Sequence, residues 1–224
     1  MSITVTPIPT LIEFATPAIT IGATAAAGDA TTAIRSNSTI AGVALITSVD
    51  NTIARYSGTG GQLQGYTSGA PTVSDTGAML KPGQPAFLAY LSSNQNNVTG
   101  DGTTVQVLFN AEIYDQTNSF ASSAFTAPVT GKYLLTTSIY LDGRSTDATQ
   151  TAISLITTNR TYFRQDSLGS GGSSFGIEMT TIADMDASET ATVSVMVAGV
   201  GSKTVDFLGD TTDVRSFFAG ALLV

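Results

Sequence analysis

The alternation of hydrophobic and polar residues is clearest in the stretch 132–141, which contains neither glycine nor proline. In an extended chain, the residues on one side of this stretch are Tyr133, Leu135, Thr137, Ile139 and Leu141, and those on the other side are Leu134, Thr136, Ser138 and Tyr140. A period of two with apolar residues on one face is typical of a β-strand in a sheet whose two faces are at least partly covered. Pro128 and the pair Thr130-Gly131 predict a turn directly before it.

Short runs of β-forming residues recur from residue 86 onwards. We predict strands near 86–91, 105–114, 132–141, 151–157, 160–164, 175–182, 190–198, 204–208 and 216–223. The loops between them are rich in Gly, Ser, Asn and Asp and lie at 92–102, 142–147, 169–174 and 209–212. Many short strands with turns at this spacing indicate an all-β sandwich. The run 217–224 is nearly all apolar, so we expect it to be buried within the sandwich or between subunits.

The first 80 residues have a different character. Three prolines lie among apolar β-formers in 1–20, which excludes a helix there and favours an extended arm that docks on another surface over a flexible tail. The segment 81–85 holds two prolines and a glycine and predicts a stiff, exposed joint. The sequence thus predicts an attachment arm and short stalk at 1–80, a joint at 81–85 and a globular head at 86–224.

The motif F-T-A-P-V-T-G-K-Y at 125–133 resembles the signature of the C1q/TNF-like jelly rolls. The segments 87–91 and 107–115 resemble the first strand and second region of that family, and 216–222 resembles its closing strand. The resemblance runs from about Pro85 to Val224 and implies a C1q/TNF-like jelly-roll head. The family usually has Gly-Asp in a turn where this chain has Ser188-Glu189, which allows a different backbone type there.

The same resemblance implies a homotrimer, because members of this family bury an apolar inner sheet around a threefold axis. The position of the matched strands places Thr136 and Phe218 near that axis. The apolar last strand and the absence of cysteine support the trimer independently, since stability must then come from core burial or association.

Two N-terminal segments resemble connecting segments of bacteriophage tail and head fibres. They are A-G-D-A-T-T-A-I-R-S at 27–36 and I-A-R-Y-S-G-T-G-G at 53–61. This second resemblance implies a structural virion protein whose N-terminal arm contacts other virion proteins.

Composition removes several classes of function. The net charge of −8 argues against a nucleic-acid surface, and no polybasic cluster or long apolar stretch predicts membrane binding or insertion. Without Cys or His, the chain cannot form a Cys₂His₂ or His₃ zinc site, a Cys nucleophile or a Ser-His-Asp triad. Residues 1–5 lack the features of a signal peptide, so we expect synthesis in a host cytoplasm without secretion, and a final location in the virion.

Two groups of residues are candidate sites. Tyr162, Arg164 and Gln165 precede a Ser/Gly loop and are candidates for a receptor platform, with packing inside the sandwich as the alternative. Four acids in predicted loops are candidate calcium ligands, namely Asp142, Asp147, Asp184 and Asp186. The alternative for these acids is a set of solvated turns, and we expect no cofactor unless calcium binds.

The preferred hypothesis is a trimeric phage fibre or spike whose head binds a host surface glycan or protein. The alternative is a capsid decoration or head-fibre protein without a dedicated receptor. A more remote alternative is a glycan depolymerase that uses Asp184 and Asp186, but no paired-acid cleft signature supports it, so we predict that the protein is not an enzyme.

Overall fold

The structure is a computed structural model that describes Ile53 and residues 55–57, 62–64, 68–166 and 173–224. The predicted arm at 1–20 and the fibre-like segment at 27–36 lie outside the described residues. All regular structure within the described ranges is β. No helix in that part of the chain is long and apolar enough to cross a membrane.

The described residues form seventeen strands. They are β1 (Arg55–Ser57), β2 (Gln62–Gln64), β3 (Thr72–Val73), β4 (Met79–Leu80), β5 (Ala86–Tyr90), β6 (Gln95–Thr99), β7 (Thr104–Gln106), β8 (Ala111–Asp115), β9 (Phe120–Ala121), β10 (Ala124–Thr126), β11 (Gly131–Asp142), β12 (Gln150–Thr157), β13 (Thr161–Asp166), β14 (Phe175–Met185), β15 (Thr190–Ala198), β16 (Val205–Phe207) and β17 (Phe217–Leu222).

Two antiparallel sheets face each other and form the head. Sheet I has the order β13-β12-β15-β10-β9, and β7 also pairs with β15. Sheet II has the order β6-β16-β11-β17-β5-β8, and β14 pairs with the other edge of β11. Two separate hairpins, β1-β2 and β3-β4, precede the head. The predicted all-β jelly-roll sandwich is confirmed by these sheets, in which strands distant in sequence are neighbours.

The stretch 132–141 is the middle of sheet II, as its period predicts. β11 pairs with β14 along 131–141 and with β17 along 133–138. Its five predicted inward residues, from Tyr133 to Leu141, are buried. The hydroxyl group of Tyr133 donates a hydrogen bond to the carbonyl oxygen of Val129 at 2.7 Å, which ties the strand to the preceding turn.

An aromatic cluster joins the two sheets. The ring of Phe87, from β5 in sheet II, stacks on Phe125 from β10 in sheet I with ring centroids 4.6 Å apart. Phe87 also stacks on Phe120 at 5.2 Å and meets Phe218 edge-on at 5.0 Å. Stacked and edge-on pairs each add about 0.5–1.5 kcal/mol beyond the burial of their area. The cluster therefore joins β5 and β17 of sheet II to β9 and β10 of sheet I.

Among the stretches that differ from the predicted strand pattern, two lie between residues 92 and 114. The predicted strand 105–114 is divided, because β7 ends at Gln106 in sheet I and β8 begins at Ala111 in sheet II. The predicted loop 92–102 contains β6, which pairs with β16. In both places the choice of sheet depends on partners that are distant in sequence, so local pattern does not reveal it.

The departure from the family pattern at Ser188-Glu189 leaves a strained backbone. Ser188 has φ of 75°, in the left-handed region that glycine favours. Its backbone N–H donates to the carbonyl oxygen of Ala127 at 2.8 Å, which fixes this conformation. The turn therefore has a positive φ at this position, although the residue there is not glycine.

Replacing Ser188 with glycine is expected to raise the free energy of unfolding by about 1 kcal/mol. The left-handed conformation costs a non-glycine residue about 1–2 kcal/mol, and the greater freedom of glycine in the unfolded chain offsets part of this gain. Urea unfolding of the wild type and of Ser188→Gly measures the difference. Ser188→Ala is the control, because it keeps the strain, and equal stability of the two variants would contradict the prediction.

Candidate interaction surface

The outward face of sheet II, here called the sheet II face, is a broad and mostly uncharged surface. In the middle of this face, the cross-strand pairing aligns the side chains in three rows, and the charged pair Lys132 and Asp184 lies beyond them at one end. The rows are Ile182, Leu134, Ala221 and Ala86; then Thr180, Thr136, Ala219, Leu88 and Tyr114; then Glu178, Ser138, Phe217, Tyr90 and Ala111. Glu178 is the one charged residue in these rows.

Large apolar groups on this face are open to solvent. Ile182 is 56 % exposed and Tyr114 is 48 % exposed, while Leu134 is also exposed. The hydroxyl groups of Thr136 and Thr180 hydrogen-bond each other at 2.8 Å, so they make little demand on external partners. A continuous face of this kind is unfavourable in water and is typical of a protein contact surface.

The two residues predicted to lie near a threefold axis have different positions. Thr136 lies in the middle of the sheet II face, and its role in an interface stays a prediction. The placement of Phe218 at an interface is wrong, because its side chain is fully buried between the sheets against Phe87. Phe218 pairs with the inward residue Thr137, so Phe217 has the outward position. A shift of one residue along a strand exchanges its two faces.

The predicted receptor residues lie in strand β13, at the edge of sheet I, and not in a loop. Tyr162 packs against the core. The guanidinium group of Arg164 donates to the carbonyl oxygen of Glu178 at 2.9 Å, which connects the adjacent edges of the two sheets. Gln165 points to the other side of the strand and accepts a hydrogen bond from Gln150 at 3.3 Å. The three side chains therefore do not form one platform.

The exposed aromatic residue of β13 is Phe163, which lies on the same side of the strand as Gln165 and is 57 % exposed. Packing inside the sandwich is the alternative interpretation of the sequence for the aromatic residues of this strand, and of Tyr162 and Phe163 only Tyr162 packs there. The signal that separates them is the strand period, since the partner of Tyr162 is the inward Leu155 and that of Phe163 is the outward Ser154.

The long loops gather at one end of the head, which we call the distal end. The chain enters the sandwich at Ala86, which lies beside Ala221 and Leu134 near the start of β11. The opposite end, where β11 finishes at Asp142, carries the loops 100–103, 143–149, 199–204 and 208–216. The predicted loops at 92–102 and 142–147 therefore lie far from the point where the chain enters.

Carboxylate groups at the distal end hold the loops in place. Asp210 accepts hydrogen bonds from the backbone N–H groups of Thr212 and Asp213, at 2.7 and 3.0 Å, and these bonds lower its pKa. The hydroxyl group of Ser174 donates to Asp142 at 2.7 Å and lowers the pKa of that carboxyl group. The side chain and backbone of Thr103 lower the pKa of Asp101 in the same way.

The sign of these pKa changes gives the direction of the pH dependence. A lowered pKa in the folded state means that the charged carboxylate stabilises the loop above the ordinary pKa of aspartate. This contribution is lost as the pH falls through the lowered value. The distal loops are thus held by charged aspartates at neutral pH.

The candidate calcium ligands do not come together. Asp142 and Asp147 lie at the distal end, whereas Asp184 pairs with Lys132 at the beginning of β11 and Asp186 follows β14. Within the described ranges, no group of three or more acidic side chains is placed to hold a metal ion. Calcium requires six to eight oxygen ligands, so this donor arrangement does not fit it.

The acids near the C-terminal end of β14 lie in or beside the β14-β15 turn. The carboxylate group of Glu189 accepts hydrogen bonds from the side chain of Asn159 and from the backbone N–H of Asp186. Asp184 and Asp186 line a polar hollow of about 240 Å³ together with Asn159 and Arg160. The cationic side chain of Arg160 thus lines the same hollow as the two carboxylates, and the Glu189 carboxylate is already engaged by the turn.

The comparisons with known proteins give structural likenesses only. The chain is similar to the globular domain of zebrafish complement 1qA protein, with 15 % identity, a TM-score of 0.46, and coverage of 62 % of this chain and 98 % of that one. It is also similar to Eiger TNF from S. frugiperda, with 13 % identity, a TM-score of 0.46, and coverage of 63 % and 93 %. Murine APRIL gives 11 % identity, a TM-score of 0.43, and coverage of 62 % and 99 %.

No family model matches the chain, and no curated protein matches it. With TM-scores below 0.5, the structural likenesses say nothing about what the chain binds. The description of the fold depends on the sheets themselves.

Proposed function

We propose that this protein is a non-enzymatic structural protein of a virion, a trimeric fibre or spike whose head binds a host surface. The observation that carries the proposal is the sheet II face, a mostly uncharged surface with exposed apolar side chains on a head that has no disulfide bonds. Copies of the same chain are the partners that best fit such a face, because a closed symmetric assembly covers it on every copy.

The virion assignment is supported by the fibre-like segments at 27–36 and 53–61. The host-binding role is supported by the position of the distal loops, which point away from the end where the attachment segment joins the head. Three copies present three equal sets of loops, so weak contacts to a repeated glycan or protein add through multivalency.

Replacing Thr136 with arginine is expected to convert the trimer into monomers. The change places one positive charge from each copy in the middle of the sheet II face, where burial of unpaired like charges is costly. Sedimentation velocity of the full chain measures the assembly. Thr192→Arg is the matched control, because Thr192 is a partly buried threonine on the outward face of a central strand in sheet I.

The proposal requires a wild-type trimer, a monomeric Thr136→Arg variant and a trimeric Thr192→Arg variant. A wild-type chain that stays monomeric would contradict the proposed trimer. Far-ultraviolet circular dichroism of both variants separates loss of assembly from loss of folding.

Immunogold labelling of intact particles with an antibody against residues 86–224 tests the virion role. Label at the tail supports a fibre that recognises the host, and then the distal loops are the part to mutate. Label distributed over the capsid supports the decoration alternative and makes the N-terminal arm the working part. Absence of label from purified particles would overturn the virion assignment.

Incubation of the purified protein with host polysaccharide tests the non-enzymatic assignment. Release of reducing ends would overturn it. We expect none, because Arg160 lines the same hollow as Asp184 and Asp186, and the nearby Glu189 is engaged by hydrogen bonds of the turn. An acid–base pair for glycan cleavage needs carboxyl groups free to exchange protons with the substrate.

A further inference from the structure

The β3-β4 hairpin is a formed structural element directly before the head. Thr72 pairs with Leu80 and Val73 with Met79. The backbone N–H of Ser74 donates to the carbonyl oxygen of Ala78 at 2.8 Å, and the N–H of Ala78 donates to the side chain of Ser74 at 3.0 Å. A two-stranded hairpin of this length is marginal by itself, so its stability depends on its surroundings.

Hydrogen bonds connect the end of this hairpin to the end of sheet II at which the chain enters the sandwich. The side-chain amide of Gln116 donates to the carbonyl oxygen of Lys81 at 2.7 Å, and that of Gln84 donates to the carbonyl oxygen of Leu222 at 2.5 Å. The N–H of Leu222 donates to the carbonyl oxygen of Pro85 at 3.0 Å, and Pro85 is buried. The predicted joint at 81–85 is therefore exposed only in its first three residues, and its last two attach the hairpin to the head.

Both residues of β4 expose large apolar side chains. Met79 is 58 % exposed and Leu80 is 56 % exposed, although successive residues of a strand point to opposite faces. Each side of the ribbon thus leaves more than half of a large apolar side chain exposed. Two adjacent exposed apolar residues on an anchored hairpin leave apolar surface in water that a folded protein usually covers.

The exposed apolar surface of the hairpin is continuous with the sheet II face. A hollow of about 590 Å³ lies between them and is lined by Met79, Leu80, Ala86 and Ala221 among others. Ala86 and Ala221 belong to the first row of the sheet II face, beside the exposed Leu134 and Ile182. Among the described residues that line the hollow, Lys81 is the one that is charged.

We infer that the β3-β4 hairpin is a second contact for a neighbouring copy of this chain. Met79 and Leu80 of one protomer pack against the partner protomer beside the sheet II face and extend the assembly beyond the head. This inference rests on the proposed trimer. A second copy of the chain is the favoured occupant of the hollow, because the hollow is continuous with the sheet II face. A partner that covers Leu134 and Ile182 therefore also covers the hollow.

The double variant Met79→Ser/Leu80→Ser of the full chain tests the inference by sedimentation velocity across a dilution series. We expect its trimer to dissociate at a protein concentration at least about tenfold higher than the wild-type trimer, because each copy loses two apolar contacts. Phe163→Ser is the matched control, since Phe163 is 57 % exposed on the opposite sheet. It is expected to dissociate at the wild-type concentration.

The outcomes separate this inference from the proposed function. A trimeric wild type with an unchanged double variant overturns the hairpin contact and leaves the trimer in place. A monomeric wild type overturns both. A double variant whose thermal unfolding temperature falls by the same amount at every protein concentration shows that Met79 and Leu80 make their contacts within one chain, which also overturns the inference.

Discussion

Replacing Phe87 with alanine is expected to lower the free energy of unfolding by about 3–5 kcal/mol, the usual cost of removing a large side chain from a well-packed core. Phe87 is fully buried and contacts aromatic rings from both sheets, with Phe125 at 4.6 Å and Phe218 at 5.0 Å. Its loss leaves a cavity at the point where sheet I and sheet II are joined. The cavity cannot close without moving one sheet relative to the other.

Urea unfolding followed by circular dichroism measures this effect. Phe163→Ala is the matched control, because it removes the same side chain from an exposed position and is expected to cost less than about 0.5 kcal/mol. Phe87→Leu keeps most of the volume and is expected to lie between these values, so the comparison holds even if Phe87→Ala does not fold. Equal losses for the alanine variants at 87 and 163 would contradict the aromatic cluster as the main contact between the sheets.

Replacing Gly220 with alanine is expected to lower the free energy of unfolding by about 1–3 kcal/mol through overpacking. A Cβ atom at this position would lie 2.6 Å from a methyl carbon of Leu135 and 2.8 Å from a ring carbon of Phe87. Both neighbours are fully buried and cannot turn aside. Gly220→Val adds two more carbon atoms at the same place and is expected to have a larger effect.

Gly176→Ala is the control for this prediction, because Gly176 also lies in a strand that pairs with β11. Its added Cβ atom would have its nearest contact at 3.7 Å, with the ring of Tyr140, which is an ordinary van der Waals distance. We expect Gly176→Ala to be neutral or slightly stabilising, since alanine loses less backbone entropy than glycine on folding. Equal losses at 176 and 220 would show that close packing does not select the glycine of the closing strand.

The period of two in the sequence is sufficient to predict most of the head. It identifies β11 and the inward residues from Tyr133 to Leu141, because a strand with one buried face has apolar residues at every second position of its own sequence. It does not identify the faces of the run Phe217-Phe218, in which both residues are aromatic. The inward direction of Phe218 follows from its pairing with Thr137, a contact between residues distant in sequence.

The β9-β10 hairpin shows a second limit of the sequence pattern. Its two turn residues, Ser122 and Ser123, have φ of 51° and 62°. Asn-Gly is the usual signal for such a turn, and two serines give none. The hydroxyl group of Ser123 donates to the carbonyl oxygen of Phe109 at 3.1 Å, so tertiary structure supports this turn where local preference does not.

The candidate site was predictable in outline only. The resemblance to a trimeric family indicates that one sheet faces a partner, but which residues point outward depends on register. The four candidate calcium ligands are not brought together for a related reason. Asp142 and Asp184 are both near strand ends, but these ends lie at opposite ends of the sheet. Composition and loop assignment do not show at which end of a sandwich a loop lies.

The separation between the distal loops and the end where the chain enters has a consequence for how this protein can change. Insertions or deletions in 143–149 or 199–204 affect neither the rows of the sheet II face nor the hairpin before the head. Arg144, Ala148 and Val200 in these loops are packed, whereas residues 146–147 and 201–204 are exposed. Exposed loop tips of this kind tolerate changes in length better than the strands that carry them. Natural variants are therefore expected to diverge at the exposed tips of these two loops while their scaffold stays interchangeable, so foreign peptides grafted there should leave the fold of the head intact.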